Sequence, residues 1–284
     1  AFQSNANETS FMLAQVNQNN KLNDNWAVAY GIQADRRAVQ SIDRGDHDDS
    51  HAGIYGQLKY NPIPGLYTNL SLRLDYDDNY GLELTPQLNA SYFINKFNLR
   101  GGIGRSIRAA DYTERYVSTN LSYLSSNRNL GNPDLNAEQS WNFEIGFDYY
   151  LQPAFKISLT PFYRMGNNII DYIPTPASEI ITTVNLDSNG TYFYTQNLTK
   201  VNTLGVESEI WYQWNIDENS SFDFTLGYTY LSTKNPDGEV SKYVSAHAKH
   251  LINANALYLY KRFNLGLSAL FKDRKTAYSD AIGM

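Results

Sequence analysis

Apolar and polar positions alternate with a period of two along most of this chain. Trp141, Phe143, Ile145, Phe147 and Tyr149 fall on one parity; Asn142, Glu144, Gly146 and Asp148 fall on the other. The same holds for Leu70, Leu72, Leu74 and Tyr76 against Asn69, Ser71, Arg73 and Asp75, and for Ile157, Leu159, Pro161 and Tyr163 against Ser158, Thr160 and Arg164. Phe222 to Tyr230 and Phe263 to Phe271 repeat it. Such alternation means strands with one apolar and one polar face. It predicts twelve strands, over 7–20, 24–40, 52–61, 66–78, 83–94, 97–108, 137–151, 155–172, 190–215, 220–234, 243–259 and 263–274. No helix-period segment or solenoid repeat competes with them.

A soluble sandwich also alternates, so lengths and connectors must decide. The predicted strands run to about ten or more residues, above the usual five or six of soluble sheets and close to the roughly nine to eleven that one tilted membrane crossing needs. Connectors alternate in kind. Asn20–Asp24, Asn61–Gly65, Ile94–Phe97, Leu151–Ala154, Asn215–Ser220 and Tyr260–Arg262 are short. Ser41–His51, Asp77–Leu82, Ala109–Asn136, Ile173–Gly190 and Asn235–Lys242 are mostly longer, and the 28 residues of Ala109–Asn136 lie far outside hairpin lengths. Short turns on one side and long loops on the other mark an outer-membrane barrel, with the long loops outside the cell.

Composition fits that reading. No run of 18 apolar residues is present, so no membrane helix is expected. Mean hydropathy is −0.49, as expected when every second residue faces a polar lumen. The 23 tyrosines suit interfacial girdles, and the absence of cysteine is compatible with a cell-envelope protein. A net charge of −6 argues against nucleic acid as a partner.

Several stretches resemble one family in the right order. They are Tyr55-Gly56-Gln57; Arg73-Leu74-Asp75-Tyr76 through Leu84-Thr85-Pro86-Gln87-Leu88; Gly104-Arg105-Ser106-Ile107-Arg108-Ala109-Ala110; Gly131-Asn132-Pro133-Asp134-Leu135-Asn136-Ala137-Glu138 with Glu144-Ile145-Gly146; and Asn202-Thr203-Leu204-Gly205-Val206-Glu207-Ser208-Glu209. Together they look like the middle and later barrel of the TonB-dependent outer-membrane receptors. Ala110 departs from the family, which usually has proline there. The resemblance implies an all-β fold: an antiparallel meander supplying about twelve strands of a 22-stranded transmembrane barrel. It implies that residues 1–284 are part of one barrel domain, with the plug, the first strands and the last strands lying outside this sequence. It implies TonB as a partner, acting through the plug, a metal-chelate or cobalamin-like ligand, and outer-membrane lipid.

Candidate chemistry falls in three places. Asp43, Asp46, His47, Asp48 and Asp49 concentrate metal-ligand types in one outer loop, so a calcium ion there is one reading and a solvated acidic loop is the other. Beyond that calcium ion, no cofactor is expected. The loop 109–136 carries Tyr112, Arg115, Tyr116, Tyr123 and Arg128, which suit an anionic metal complex arriving from outside, or packing of the loop on itself. Tyr172, Tyr192 and Tyr194 read as girdle residues. Arg73, Asp75, Glu144, Asp148 and Arg164 are expected on the lumen wall, with Glu144 paired to Arg100 or Arg105.

No nucleophile elbow, phosphate loop or zinc helix motif appears. The leading function is the one the resemblance implies: energised uptake of a ferric siderophore, haem or cobalamin across the outer membrane, without enzymatic chemistry. The alternatives are a complete twelve-stranded passive channel or an outer-membrane hydrolase built on Ser245 with His247 or His250, and a soluble secreted glycan-binding protein. The residues Ser279 to Met284 read as loop, which favours a piece of a larger barrel over a closed ring.

Overall fold

The structure, a computed structural model, describes residues 6–234 and 248–274. Twelve long strands are present among them. They are β1 (Asn7–Lys21), β2 (Trp26–Ser41), β3 (Gly45–Tyr60), β4 (Leu66–Asp77), β5 (Gly81–Ile94), β6 (Phe97–Arg108), β9 (Glu138–Gln152), β10 (Phe155–Pro176), β12 (Thr191–Asp217), β13 (Ser220–Lys234), β14 (Ala248–Tyr260) and β15 (Phe263–Arg274). The short pieces β7 (Tyr123–Leu124), β8 (Asn129–Leu130) and β11 (Asn185–Leu186), the helix α1 (Tyr112–Tyr116) and a 3-10 turn (Ala177–Glu179) belong to the long connections.

Each long strand pairs antiparallel with the next long strand, in a meander running from β1 to β15. β1 and β15 do not pair with each other among the described residues, so the sheet is open and the closed twelve-stranded ring is not formed. Ser245 and His247 lie outside the described residues. So do the predicted loop Asn235–Lys242 and the predicted start of the strand at 243.

Register converts alternation into two continuous surfaces. Val28, Leu58, Leu70, Leu88, Ile103, Phe143, Tyr163 and Leu204 stand directly opposite one another in sequence across eight strands. This row lies on the exposed apolar face, with Ile54, Ile145, Leu265 and Leu267. An exposed apolar surface of this extent is far beyond what a water-soluble monomer carries and is a lipid-facing band. The other parity presents Arg73, Asp75, Arg100, Glu144, Asp148, Ser158, Thr160, Arg164, Glu207 and Glu209 to the lumen side.

At the short-turn end, aromatic rings gather into a girdle. Trp26 stacks on Tyr60, Phe97 on Tyr149, and Phe93 and Phe155 meet Tyr150 and Tyr212. The turns there need left-handed backbone at Asn95 and Lys261, and Gly65 supplies it between β3 and β4. Pro86 stands opposite Leu72, and the ladder between β5 and β6 ends at Gln87, one residue after it.

Two predicted features are corrected. The acidic segment 41–51 is not a loop: β2 and β3 zip to Ser41–Gly45, leaving the turn Ile42–Arg44. Local sequence masked this, because polar residues fill both faces of a strand once it leaves the membrane. Nor is Tyr192 a girdle residue; it is fully buried beneath the outer loops, with Tyr194 packed against the same cluster. Among the described residues, the closely packed apolar clusters all sit in this outer extension. One contains Leu124, Leu130, Val184 and Tyr192; another Ala110, Leu135 and Ile170; a third Ile169, Leu198 and Val201.

The two faces make a direct prediction. The chain has no cysteine, so single-cysteine variants report cleanly. A cysteine at Glu144 should react with a membrane-impermeant maleimide admitted to the lumen, and one at Ile145 should react only with a lipid-soluble reagent. The reverse pattern would mean a one-residue register slip.

Candidate functional site

The polar face and the long outer connections meet in one assembly. The connection from Ala109 to Ala137, here called the strap, leaves β6 and returns to β9. Its two ends are held by one residue. Arg108 makes paired hydrogen bonds to Glu138 (2.9 and 2.7 Å) and to Glu114 (2.9 and 2.9 Å). This double carboxylate clasp holds its guanidinium in the charged form, well above its ordinary pKa, chiefly through the Glu138 hydrogen bonds.

Inside the strap, α1 is started by a capping box. The Asp111 side chain accepts from the backbone N–H of Thr113 and of Glu114, and the Glu114 carboxylate accepts from the N–H of Asp111. The Asp-x-x-Glu spacing is legible in the sequence, and this helix was missed because five residues are too few for a periodic pattern. Gly131 follows from a close approach. A Cβ there would lie 2.6 Å from the backbone of Arg115 and Tyr116, and its N–H donates to the Val117 carbonyl.

One end of the strap docks on the β2–β3 hairpin. Arg115, nearly fully buried, donates through Nη1 to both oxygens of Asp49 (3.1 and 2.8 Å) and through Nη2 to the Tyr116 hydroxyl. Tyr116 stacks on His47 with centroids 3.5 Å apart. The Tyr112 hydroxyl donates to the Arg37 carbonyl, and burial pushes that phenol up, with the Asp49 carboxylate adding to it. The other end docks on the β10–β12 connection. Tyr123 donates to Asp187, Tyr192 donates to the Leu124 carbonyl, and the Asn197 side chain both accepts from and donates to the Asn136 backbone. Thr195, also buried, donates to the carbonyls of Glu114 and Leu130. The strap therefore spans the outer rim from β2–β3 to β10–β12 on the polar side.

Below its first anchor the wall carries a dense ion-pair network. His51 lies between Asp35 (Nδ1 to Oδ1, 2.7 Å) and Asp75 (Nε2 to Oδ1, 2.9 Å). Arg37 pairs with Asp77 and approaches Asp35; Arg73 pairs with Asp75. Burial, followed by the charges of Asp77 and Asp75, pushes the Tyr80 phenol in the β4–β5 turn up to about 12. Further round the wall, Arg100 crosses the bare backbone of Gly146 to reach Asp148 and Thr160. The expected Glu144 partner is thus replaced by Asp148, because the missing side chain at Gly146 leaves the guanidinium a diagonal path. Arg105 pairs with Glu83 instead.

The candidate residues sort accordingly. Tyr112, Arg115 and Tyr116 are brought together at the first anchor of the strap, Tyr123 belongs to the second, and Arg128 is exposed between strap and solvent. The proposed metal set is split by strand alternation. Asp46 and Asp48 point away from the lumen, Asp48 pairing with Arg36, while His47 and Asp49 point inward to Tyr116 and Arg115. Asp43 stays in the turn, accepting from Ser41. Among the described residues no group of three or more His, Asp or Glu side chains has metal-binding geometry. Sequence reading missed Asp35, Arg37 and Asp77, whose only signal was charge on the inward parity of β2 and β4.

Known proteins share this architecture. The family described as "TonB dependent receptor-like, beta-barrel" matches residues 3–282. An iron-regulated outer membrane virulence protein of Vibrio cholerae serotype O1 is 28% identical over 186 residues, covering 64% of this chain and 28% of that protein. A vitamin B12 transporter, BtuB, of Photobacterium profundum is 24% identical over 212 residues, 74% of this chain and 30% of that protein. In shape, the chain superposes on a ferric enterobactin receptor mutant from Pseudomonas aeruginosa, in complex with enterobactin. The TM-score is 0.71 at 16% identity, over 95% of this chain and 42% of that one. The chain thus spans under a third of the curated relatives it matches.

Two variants test the assembly. Gly131→Ala should force the α1 backbone away and destabilise the strap by about 1–3 kcal/mol, seen as faster proteolysis within 109–137, with the β-sheet circular dichroism unchanged. Glu138 tests the clasp by pH. Burial raises its carboxyl, but hydrogen bonds from Arg108 and the Ile170 N–H outweigh that and hold it below the ordinary 4.5. Its stabilisation should be complete above that value and be lost as pH falls through the lowered one. Glu138→Gln should abolish this acid-side loosening of the strap.

Proposed function

This chain belongs to the TonB-dependent receptor β-barrel family, and from that premise we propose that it forms part of the wall and outer binding loops of an energised outer-membrane importer. Its location is the bacterial outer membrane, and the family's proteins are receptors and transporters rather than enzymes. His250, the one hydrolase candidate among the described residues, hydrogen-bonds to the Tyr228 hydroxyl, stacks on that ring and lies tilted against Tyr230, on the lipid-facing parity.

The observation that carries the reading is the pairing of an unbroken apolar row outside with a charged wall inside, over a sheet that matches the family across nearly its whole length. The wall is built for contact with a polar plug and a passing solute. In the whole protein, TonB would pull on such a plug and open a path. The substrate class is a scarce metal chelate, a ferric siderophore or haem, or a cobalamin. The strap, with exposed Tyr123 and Arg128, is the surface such a ligand would meet first.

A deletion strain complemented by the full-length gene provides the test. Uptake of radiolabelled ferric catecholate, haem and cyanocobalamin should be restored for one of them in a TonB-competent host and abolished without TonB. Equal uptake in both hosts would favour a passive channel.

A further inference from the structure

Glycines differ between the two faces of the sheet. Gly56 and Gly101 lie on the lipid-facing parity, opposite Leu72 and Ile145. A Cβ on either would meet no atom beyond its chain neighbours nearer than 3.9 Å. On the lumen parity the glycines are roofed. Gly146 stands opposite Arg100, and a Cβ there would lie 2.7 Å from the guanidinium carbon. Gly102 stands opposite Asn89, whose amide oxygen would be 2.8 Å away. Gly53 lies under Arg73, with Nη2 at 2.5 Å. Gly205 faces Phe162 and Gly227 faces Asn253, and a Cβ on either would overlap the opposing side chain. Gly266, on β15, has only Leu257 in ordinary contact at 4.0 Å. The roofing side chains come from strands between β4 and β14, so the arrangement runs across most of the wall.

Glycine weakens a strand interior, and it often marks a place where another group approaches closely. Here the approaching group is a side chain of the neighbouring strand. Side chains on a sheet stand roughly perpendicular to it, with opposite Cβ atoms about 4.5–5.5 Å apart. Removing one Cβ opens a slot, and the long side chain beside it tilts down against the backbone. Its reach into the lumen falls. Arg100 lies across Gly146 in this way and directs its donors to Asp148 and Thr160 within the wall. Phe162 has no polar group to tie it down, so it is the slot at Gly205 that lets it lie flat.

We propose that these slots set the clearance of the lumen for the plug, which the family resemblance places outside this sequence. This rests on the proposed importer. Lowered side chains recur from β4 to β14, a width that one small solute does not touch but a folded body filling the lumen does. The flattened wall is the surface against which that body seats and past which it moves when pulled. A methyl group added in a slot raises the roofing side chain into the same space. At Gly205 the displaced atoms are the far edge of the Phe162 ring and the tip of Leu231, so the strand ladder keeps its register and the change is confined to the lumen.

The test uses the full-length gene in the deletion strain, with and without TonB. Gly205→Ala should assemble, bind solute at the outer face with unchanged affinity, and lose TonB-dependent uptake by about tenfold, the scale of overpacking by one methyl group. It should also make the cells sensitive to vancomycin, a glycopeptide too large to pass a seated plug. Adding Phe162→Ala to Gly205→Ala should restore both readouts, because the raised ring is gone. Gly56→Ala, on the lipid face, should match the wild type. Unchanged uptake and vancomycin resistance in Gly205→Ala would overturn the proposal. So would a defect that Phe162→Ala does not relieve, which would mean a damaged backbone. Loss of uptake without vancomycin entry would also overturn it, since the ring would then obstruct the solute and not the plug. Should Gly205→Ala fail to assemble, Gly227→Ala with and without Asn253→Ala decides by the same readouts. Wild-type cells that import none of the solutes yet exclude vancomycin would sink the importer alone, and the vancomycin readout would still judge the clearance.

Discussion

Everything in this molecule depends on the cross-strand hydrogen-bond ladder being held in register. In lipid no water can satisfy a free N–H or carbonyl, and each unpaired group costs several kcal/mol. The ladder meets that requirement along strands of twelve or more residues. Because side chains alternate, the same ladder fixes which residue meets lipid. A slip of one position would carry Arg73 and Arg100 outward, where an arginine at mid-depth costs roughly 2–4 kcal/mol. Backbone pairing and side-chain sorting are thus one constraint seen twice, and the row from Val28 to Leu204 is its visible result.

The membrane part consequently has little packed interior of its own. Its apolar side chains are spent on lipid and its polar ones on a lumen. Close packing is found instead where the strands rise above the band. There β10 and β12 extend well past the membrane, and the strap and the 177–190 connection bury Leu124, Leu130, Val184 and Tyr192 between them. Aqueous surroundings restore the hydrophobic drive that lipid removes. The outer assembly therefore behaves as a small soluble fold grafted on a membrane wall, held by buried ion pairs on one side and an apolar cluster on the other.

That division explains the chemistry of the site. An isolated buried pair such as Arg115–Asp49 adds little net stability over an apolar equivalent, but removing one partner is expensive, so the pair fixes position. The same holds for Arg100, which reaches Asp148 only because Gly146 is bare. Charge on this wall sets geometry: where the strap sits, and which side chains stay exposed on it for an arriving solute.

Fold class, the number of long strands and their two faces were legible in the order of residues alone. Period-two alternation is a local property, and every strand carries its own copy of it. The family was legible too, through ordered short stretches such as Gly131 to Glu138. Sequence alone did not determine where β3 begins, because alternation loses its apolar half once both faces of Gly45–His51 meet water or protein. It did not separate Asp46 and Asp48 from His47 and Asp49, since that needs the strand to be known first. Nor could it show that Tyr112, Arg115 and Tyr116 meet a hairpin some seventy residues away, or that His51 stands between Asp35 and Asp75. Those contacts join separate strands and a loop that crosses them. Only the register of β2 to β4 and the path of the strap bring them together, and neither is written in any local stretch of the chain.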